Sequence, residues 1–305
     1  MRKYNPHDLI LPSLAEAYSP LLYYTITPFY RKKEYDSLKL DEDDLEVRDP
    51  VKLKDESYYF GQWNSDSDMK EGRGISVMKD GSLFEGFWKN GKPHGKGRTI
   101  YHDKHVYQGC HQAGKETGYG TIVYEKGAKL KGTTKDGKLH GEGFELREDG
   151  SKYRGEFKNG MKNGKGVLTW HDGSVYTGEM KDNELSGYGV YKWSDGRVYE
   201  GEFRNNKMNG EGVFTWDDGK RYEGGYKNDN KHGEGVFVWP DGSVYNGGWK
   251  DGNQHGHASY TNTNGMTRKG IWEEGQRKSK WLLFIIIYRV VVITQISAFS
   301  TKLHQ

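Results

Sequence analysis

The chain has 305 residues, of which 43 are glycine, 22 tyrosine, 11 phenylalanine and 9 tryptophan. Glycine is about twice as frequent as in an average protein, and aromatic residues are too common for a disordered chain. Only seven prolines are present and glycine does not fall at every third position, which excludes collagen. The net charge of +3 gives no argument for nucleic acid, and the single cysteine, Cys110, excludes an intrachain disulfide. This composition predicts a shallow aromatic core that is repeated many times.

Residues 1–57 contain no repeat and are predicted to form an N-terminal strap or linker. Residues 9–30 are apolar and aromatic, but their three prolines argue against a membrane-spanning helix or a signal peptide. An acidic stretch at residues 41–49 follows, and we interpret this charged half as a solvated linker. In an alternative interpretation the apolar half folds back along the repeats, or docks on a partner, as a strand-like strap.

About ten repeats of 23 residues occupy residues 58–281. Each begins with aromatic-x-Gly-x-aromatic, a Gly-x-Gly pair follows about eleven residues later, and Asp-Gly or a similar pair closes most repeats. The predicted structural positions of the five most regular repeats are Tyr153, Gly155, Phe157, Tyr176, Gly178, Tyr199, Gly201, Phe203, Tyr222, Gly224, Tyr226, Tyr245, Gly247 and Trp249.

Each repeat is predicted to be a β-hairpin. Tyr199, Gly201 and Phe203 alternate along one strand and therefore share a face, whereas Glu200 and Glu202 occupy the other face. Asp-Gly and Asn-Gly are typical of two-residue hairpin turns. A glycine inside a strand costs backbone entropy, which indicates that its lack of a side chain is needed there. We therefore expect Gly201 to make room for the Tyr and Trp rings of adjacent repeats. One hairpin buries too little to be stable alone, so stability must come from the neighbouring repeats.

The pattern YxGxF, NGxxxGxG and DG at a spacing of 23 residues resembles the membrane occupation and recognition nexus (MORN) repeat. The resemblance implies an all-β fold, an elongated single-layer antiparallel β-meander or solenoid of about ten hairpins. Two repeats depart from the pattern: the one at Leu130 lacks both aromatic residues, and the one at Tyr107 continues into Cys110-His111. We expect these two hairpins to be the least stable.

Residues 282–305 form a hydrophobic and basic C-terminal tail. Trp281 to Phe299 spans 19 residues, close to the roughly 20 needed to cross a bilayer, but Arg289 lies near the middle. Three interpretations stay open: a marginal tail anchor, an edge strand or helix that covers the open end of the array, and an extension of the gene model without selected structure. The candidate membrane contacts are Arg277, Lys278, Lys280 and Trp281.

No constellation of residues indicates catalysis, a cofactor or a metal ion. The Gly-x-Gly pairs are not followed by GK[ST], so they are structural and not phosphate-binding loops. His94, His140, His232 and His255 share one repeat position with asparagines and a serine, which indicates a turn position and not a ligand set. We therefore predict a protein that is not an enzyme.

The leading functional hypothesis is a scaffold that bridges protein partners, as the resemblance to ciliary radial-spoke-head and cytoskeletal MORN proteins implies. It predicts a cytoplasmic, cytoskeleton- or cilium-associated protein with cytoskeletal or axonemal partners, and a homodimer is one option. The alternatives are a peripheral membrane adaptor for anionic phosphoinositides and a regulatory module of a phosphatidylinositol phosphate kinase-type complex. We expect weak or no lipid binding by the repeats, membrane association only through the tail, and no nucleic-acid partner.

Overall fold

The computed structural model describes residues 44–135 and 137–278, and this part of the chain contains 21 β-strands and no α-helix. The all-β hairpin fold predicted from the repeats is therefore confirmed. The apolar strap at residues 9–30, the tail at residues 282–305, Lys280 and Trp281 lie outside the described residues, and the interpretations given for them remain predictions.

The described residues fall into two compact units. In the first unit (residues 44–102 and 111–114) each strand pairs antiparallel with the next: β1 (Leu45–Lys52), β2 (Tyr58–Asn64), β3 (Met69–Val77), β4 (Leu83–Lys89) and β5 (Lys92–Ile100). Strand β6 (Val106–Gln112) contributes residues to both units.

The second unit (residues 103–110 and 115–278) continues the same order, and each of its strands from β7 onward pairs antiparallel with the next. These strands are β7 (Lys115–Val123), β8 (Lys129–Lys135), β9 (Lys138–Leu146), β10 (Lys152–Lys158), β11 (Met161–Thr169), β12 (Val175–Lys181), β13 (Glu184–Lys192), β14 (Val198–Arg204), β15 (Lys207–Thr215), β16 (Arg221–Lys227), β17 (Asn230–Val238), β18 (Val244–Lys250), β19 (Asn253–Thr261), β20 (Thr267–Glu273) and β21 (Gln276–Arg277).

Strand β1 differs from the solvated linker expected for the charged segment before the repeats. It pairs along β2 from Leu45 to Lys52, although most of its side chains are exposed. The guanidinium group of Arg48 contacts the carboxylates of Glu46 and Asp68 and lies 4.8 Å from the centre of the Trp63 ring. A charged segment can therefore form a strand here, because the edge of β2 offers unpaired backbone groups and the side chains of β1 remain in water.

The turn inside the regular repeats is the predicted two-residue hairpin turn, whereas four residues, 65–68, join β2 and β3 of the first repeat. Between β10 and β11 it consists of Asn159 and Gly160, whose φ angles are 52° and 82°. Asn205 and Asn206 adopt the same conformation between β14 and β15 with φ of 51° and 64°. Both central residues have positive φ, as a type I′ turn requires, and asparagine tolerates this conformation better than most residues.

The Asp-Gly pairs between repeats do not form two-residue turns, so that prediction is wrong. β11 and β12 are joined by the five residues 170–174, in which Gly173 has a φ of 89° and its amide donates to the carbonyl of Trp170. The carboxylate of Asp172 accepts the amide of Ser174 at 2.9 Å. The aspartate acts through its side chain and only the glycine needs the left-handed conformation, an arrangement typical of an Asx turn.

The core of a regular repeat is a tyrosine ring that lies over two glycines of its own hairpin. A Cβ atom added to Gly212 would lie 2.5–2.6 Å from the ring and hydroxyl atoms of Tyr199, and one added to Gly201 would lie 2.7 Å from the Tyr199 hydroxyl and 2.5 Å from the Cα of Gly212. Gly201 and Gly212 are paired across β14 and β15. The tyrosine hydroxyl then donates to the carbonyl oxygen of Glu202 at 3.0 Å. The glycines thus accommodate the ring of their own repeat and not, as expected from the sequence, the rings of adjacent repeats.

The same arrangement recurs through both units. The first-position tyrosines are at most 1% exposed, and each donates its hydroxyl to the carbonyl three residues later; they are Tyr59, Tyr107, Tyr153, Tyr176, Tyr199, Tyr222 and Tyr245. The central glycines of the five regular repeats lie in the middle of the first strands: Gly155, Gly178, Gly201, Gly224 and Gly247.

The second aromatic residue of a repeat makes the contact to the preceding repeat. The ring of Phe203 lies 5.1 Å from that of Tyr199 in its own repeat and 5.2 Å from that of Tyr176 in the one before, both edge to face. Tyr226 and Trp249 make the same two contacts at 5.2–5.3 Å. Edge-to-face pairs contribute about 0.5–1.5 kcal/mol beyond their burial, so this column of rings couples each hairpin to its neighbour.

The repeat that begins at Leu130 replaces the missing tyrosine with a ring from the following repeat. A Cβ atom added to Gly143 would lie 2.8–2.9 Å from the ring of Phe157, whereas the glycines at this position in the regular repeats face their own tyrosine. Leu130 itself is half-buried against the core of the second unit. Whether this hairpin and the one at Tyr107 are the least stable remains a prediction.

We predict that Gly212→Ala destabilises the protein by about 1–3 kcal/mol, because the new methyl group must displace the Tyr199 ring. Gly212 has an ordinary negative φ, so the cost is steric and not conformational. The matched control is Glu211→Ala, which changes the neighbouring exposed residue on the same strand. Chemical denaturation of the three proteins measures the difference, and equal midpoints for the two variants would contradict the packing described for Tyr199.

Candidate binding surface

A row of partly exposed tryptophans runs along the second unit. Trp170, Trp193, Trp216 and Trp239 each follow the second strand of a repeat and open the connection to the next one. In every one of these connections the tryptophan amide donates to the carbonyl four residues later, at 2.9 Å, and its carbonyl accepts the amide of the glycine at 2.9–3.1 Å. The connection therefore holds the backbone of each tryptophan in a fixed place.

These tryptophans belong to a continuous series of eight neighbouring rings, which we call the aromatic row. Its members in order are Trp170, Tyr191, Trp193, Phe214, Trp216, Phe237, Trp239 and Tyr260, with successive centroids 4.3–5.9 Å apart. Phe214 and Phe237 are buried and the other six are half-buried. The row thus presents tightly supported aromatic rings to solvent, as a protein-binding surface requires.

The aromatic row was not identified from the sequence. The available signal was a tryptophan two residues before the aspartate of Asp-Gly in four consecutive repeats.

Lys231 lies among aromatic rings beside this row. Its ammonium nitrogen is 4.5 Å from the centre of the Phe237 ring, 4.7 Å from Trp249, 5.1 Å from Trp216 and 5.3 Å from Tyr222. No carboxylate of the described residues pairs with it. Burial without an acidic partner lowers the pKa of Lys231 to about 8, although the four ring faces attract the cation. The same repeat position holds Lys162, which is buried but paired with Glu145.

The opposite face of the repeats is polar. Tyr188 is 54% exposed there and donates its hydroxyl to Glu200 at 2.8 Å. The carboxylate of Glu156 lies over Gly164 and accepts the amide of Lys165 at 3.0 Å. The carboxylate of Glu202 lies over Gly210 in the same way and accepts the amide of Glu211 at 3.4 Å. The buried first-position tyrosines and the exposed glutamates thus lie on opposite faces, which is the alternation expected of the strand.

The two candidate membrane contacts inside the described residues already have partners within the chain. Arg277 in β21 donates to the carbonyl of Lys269 at 2.9 Å and lies 5.7 Å from the Trp272 ring. Lys278 pairs with Glu273 at 3.0 Å. Among residues 44–135 and 137–278, no helix is long and apolar enough to cross a membrane.

The recurring histidines lie inside the second strands and not in turns. Each directly precedes a glycine of positive φ at the bulge where the strand pairing shifts, for example Gly233 after His232, with a φ of 80°. The described part of the chain contains no group of three or more His, Cys, Asp or Glu side chains arranged to hold a metal ion.

Lys231 predicts a specific pH dependence of stability. Its folded pKa of about 8 lies below the roughly 10.4 of an unfolded lysine, so between these values the unfolded chain binds more protons and stability rises with pH. Below pH 8 both states are protonated and the destabilisation is fully present. We expect a gain on the order of 1 kcal/mol between pH 7 and pH 9, below the range in which the buried tyrosines titrate and discounted for the partial exposure of the group.

Thermal melts of the wild-type protein and of Lys231→Met across this range measure the effect. The midpoint of the wild type should rise with pH, whereas that of Lys231→Met should stay nearly constant. Parallel curves for the two proteins would show that the ammonium group is not desolvated in the folded state.

Comparison with solved structures gives similarities at low scores. The TCP10 domain of Danio rerio CPAP is 13% identical, with 76% of this chain and 96% of that one covered and a TM-score of 0.29. The TCP domain of Drosophila melanogaster SAS-4 (dCPAP), in complex with a proline-rich motif of Ana2, is 13% identical over 57% of this chain and 86% of that one, with a TM-score of 0.28. A Staphylococcus aureus virginiamycin B lyase is 10% identical, with coverages of 75% and 85% and a TM-score of 0.15. Scores this low carry no information on function, and no curated protein matches the sequence.

The family model of the MORN repeat matches eight consecutive segments: residues 84–106, 107–129, 132–152, 153–175, 176–196, 199–221, 222–244 and 245–267. The match covers more than half of the chain and follows the 23-residue register of the tyrosine-over-glycine hairpins. The hairpin formed by β2 and β3 lies before the first match and has the same packing, with the ring of Tyr59 over Gly74. With repeats that agree in sequence, period and packing, the chain belongs to the MORN-repeat family.

Proposed function

We propose that this protein is a non-enzymatic scaffold that bridges protein partners in a cytoskeletal or ciliary assembly. The aromatic row is the observation that supports the proposal most directly. Eight adjoining rings hold one another in place, so the six half-buried ones lose little side-chain freedom when a partner covers them. The cytoskeletal or ciliary setting rests on the family, whose repeats these hairpins share.

A repeat array suits bridging because its stability is distributed. Each hairpin is coupled to its neighbours through rings such as Phe203, so a partner that binds one part of a unit does not need to reorganise the rest. The described residues offer an extended, ordered row and not a closed pocket, which favours recognition of chain segments over recognition of small molecules.

Affinity purification from the native cell with mass spectrometry tests the proposal. We predict that the wild-type chain recovers axonemal, basal-body or other cytoskeletal proteins. The double variant Trp193→Ala/Trp216→Ala should recover at least about tenfold less of these proteins. Truncating a central aromatic anchor typically reduces the binding free energy by more than 1 kcal/mol. Tyr188→Ala is the matched control, since it removes an exposed aromatic ring from the opposite face. Recovery of lipid-kinase subunits in place of cytoskeletal proteins would contradict the proposal.

Membrane binding is a separate test of the same proposal. We expect the chain ended after Lys278 to remain in the supernatant with phosphoinositide liposomes at ~150 mM salt, because Arg277 and Lys278 are already paired within the chain. Co-sedimentation of the full chain and of the shortened chain at low and physiological salt distinguishes the contribution of residues 279–305. Tight binding of the shortened chain at the higher salt would favour the membrane adaptor over the scaffold.

A further inference from the structure

The tryptophans of the aromatic row follow a regular spacing along the sheet. Trp170, Trp193, Trp216 and Trp239 come from consecutive repeats, so each is two strands from the next. Neighbouring strands lie about 4.7–4.9 Å apart, which places successive tryptophans about 9.5 Å apart. A ligand that contacts all four rings in the same way must repeat its own structure at about this distance.

Only one regular peptide conformation has that repeat. A polyproline II helix rises 3.1 Å per residue with three residues per turn, which gives about 9.3 Å per turn. An α-helix advances about 5.4 Å per turn, and an extended strand about 6.7 Å per two residues. The turn of a polyproline II segment therefore matches the spacing of the strands that carry the tryptophans, and about ten residues suffice to reach from Trp170 to Trp239.

The chemistry of the row suits proline in particular. Pyrrolidine rings pack flat against exposed indole faces, and a polyproline II segment loses little conformational entropy on binding because it is already ordered. The row is confined to these four repeats, since the same position holds Tyr124, Arg147 and Asn262 in other repeats of this unit. The length of the proposed binding surface is therefore set by these four repeats.

The charge beside the row defines the partner further. The connections that begin with the four tryptophans contain five aspartates: Asp172, Asp195, Asp217, Asp218 and Asp241. Two of them pair with basic residues of their own connection, Asp195 with Arg197 at 2.8 Å and Asp218 with Lys220 at 2.5 Å. The other three have no lysine or arginine partner among the described residues, and Asp217 is exposed. Against these five aspartates the four connections carry Arg197 and Lys220, so their net charge is negative and favours a basic ligand.

We propose that the aromatic row binds a proline-rich segment of a partner protein in the polyproline II conformation, with prolines at every third position against the four tryptophans and basic residues toward the aspartates. This inference rests on the proposed scaffold function and names the chemistry of its partner. Lys231 lies at the hairpin-turn end of β17, and the connection that begins with Trp239 follows the other end of that strand.

The test uses the full chain and a fluorescein-labelled peptide of about twelve residues that repeats Pro-Pro-Arg. Fluorescence anisotropy should show saturable binding, and emission from the tryptophans should change in parallel. A peptide that repeats Ala-Ala-Arg has the same charge without the proline rings and should bind at least about tenfold more weakly. Absence of saturable binding, or equal affinity for the two peptides, would overturn the proposal.

Variants of the protein locate the site. Trp193→Ala should weaken binding of the Pro-Pro-Arg peptide about tenfold or more, and its melting curve shows whether the fold is retained. Asp217→Lys leaves every ring in place, so it tests the surface even where Trp193→Ala unfolds, and it should weaken binding about threefold or more. The controls are Tyr188→Ala and Glu211→Lys, which make the matching changes on the opposite face and should bind as the wild type does. Equal losses in variants and controls would place the peptide elsewhere.

The outcomes also separate this inference from the proposed function. If cytoskeletal partners are recovered by the wild type and the peptide does not bind, the scaffold stands and the proline-rich ligand is wrong. If the wild-type chain self-associates through Trp193 without binding the peptide, the occupant of the row is a second copy and the proposal is likewise overturned.

Discussion

The fold depends on one interaction, the packing of a tyrosine ring across a pair of glycines on two adjacent strands. Gly201 and Gly212 leave the space that the Tyr199 ring occupies, and the hydroxyl of that ring reaches the carbonyl of Glu202. A side chain at either glycine would collide with the ring or with the facing backbone. Because the phenol hydroxyl makes its hydrogen bond within its own hairpin, a polar aromatic residue can be fully buried in a single layer of strands.

Burial has a measurable consequence for these phenols. Desolvation raises the pKa of Tyr107, Tyr153 and Tyr245 to about 12, and it raises that of Tyr199 further. Above pH 10 the unfolded chain therefore loses protons that the folded chain retains, and stability falls as pH rises through this range. The effect has the opposite sign from that of Lys231, whose folded pKa is depressed and whose contribution to stability increases up to about pH 10.

The repeats separate stability from recognition by using different aromatic positions. The tyrosines stabilise each hairpin, the rings at the Phe203 position connect neighbouring hairpins, and the tryptophans of the aromatic row line the exposed side. Since the tryptophans open the connections between repeats, they can vary without loss of the core, as Arg147 and Asn262 at the same position show. A surface for partners can therefore be confined to a few repeats of an otherwise uniform array.

The sequence by itself determined the all-β hairpin fold, the strand faces and the turns inside the repeats, because a 23-residue period with alternating aromatics allows few other arrangements. It did not determine which ring covers which glycine: Tyr199 and its neighbours all lie on the same face, and only the pairing of β14 with β15 brings Gly212 beneath Tyr199. Nor did it reveal strand β1, whose charged residues favour pairing only once the edge of β2 exists. The aromatic row and the environment of Lys231 likewise come from tertiary structure, because their rings are separated by many residues in the chain and meet only when the repeats stack.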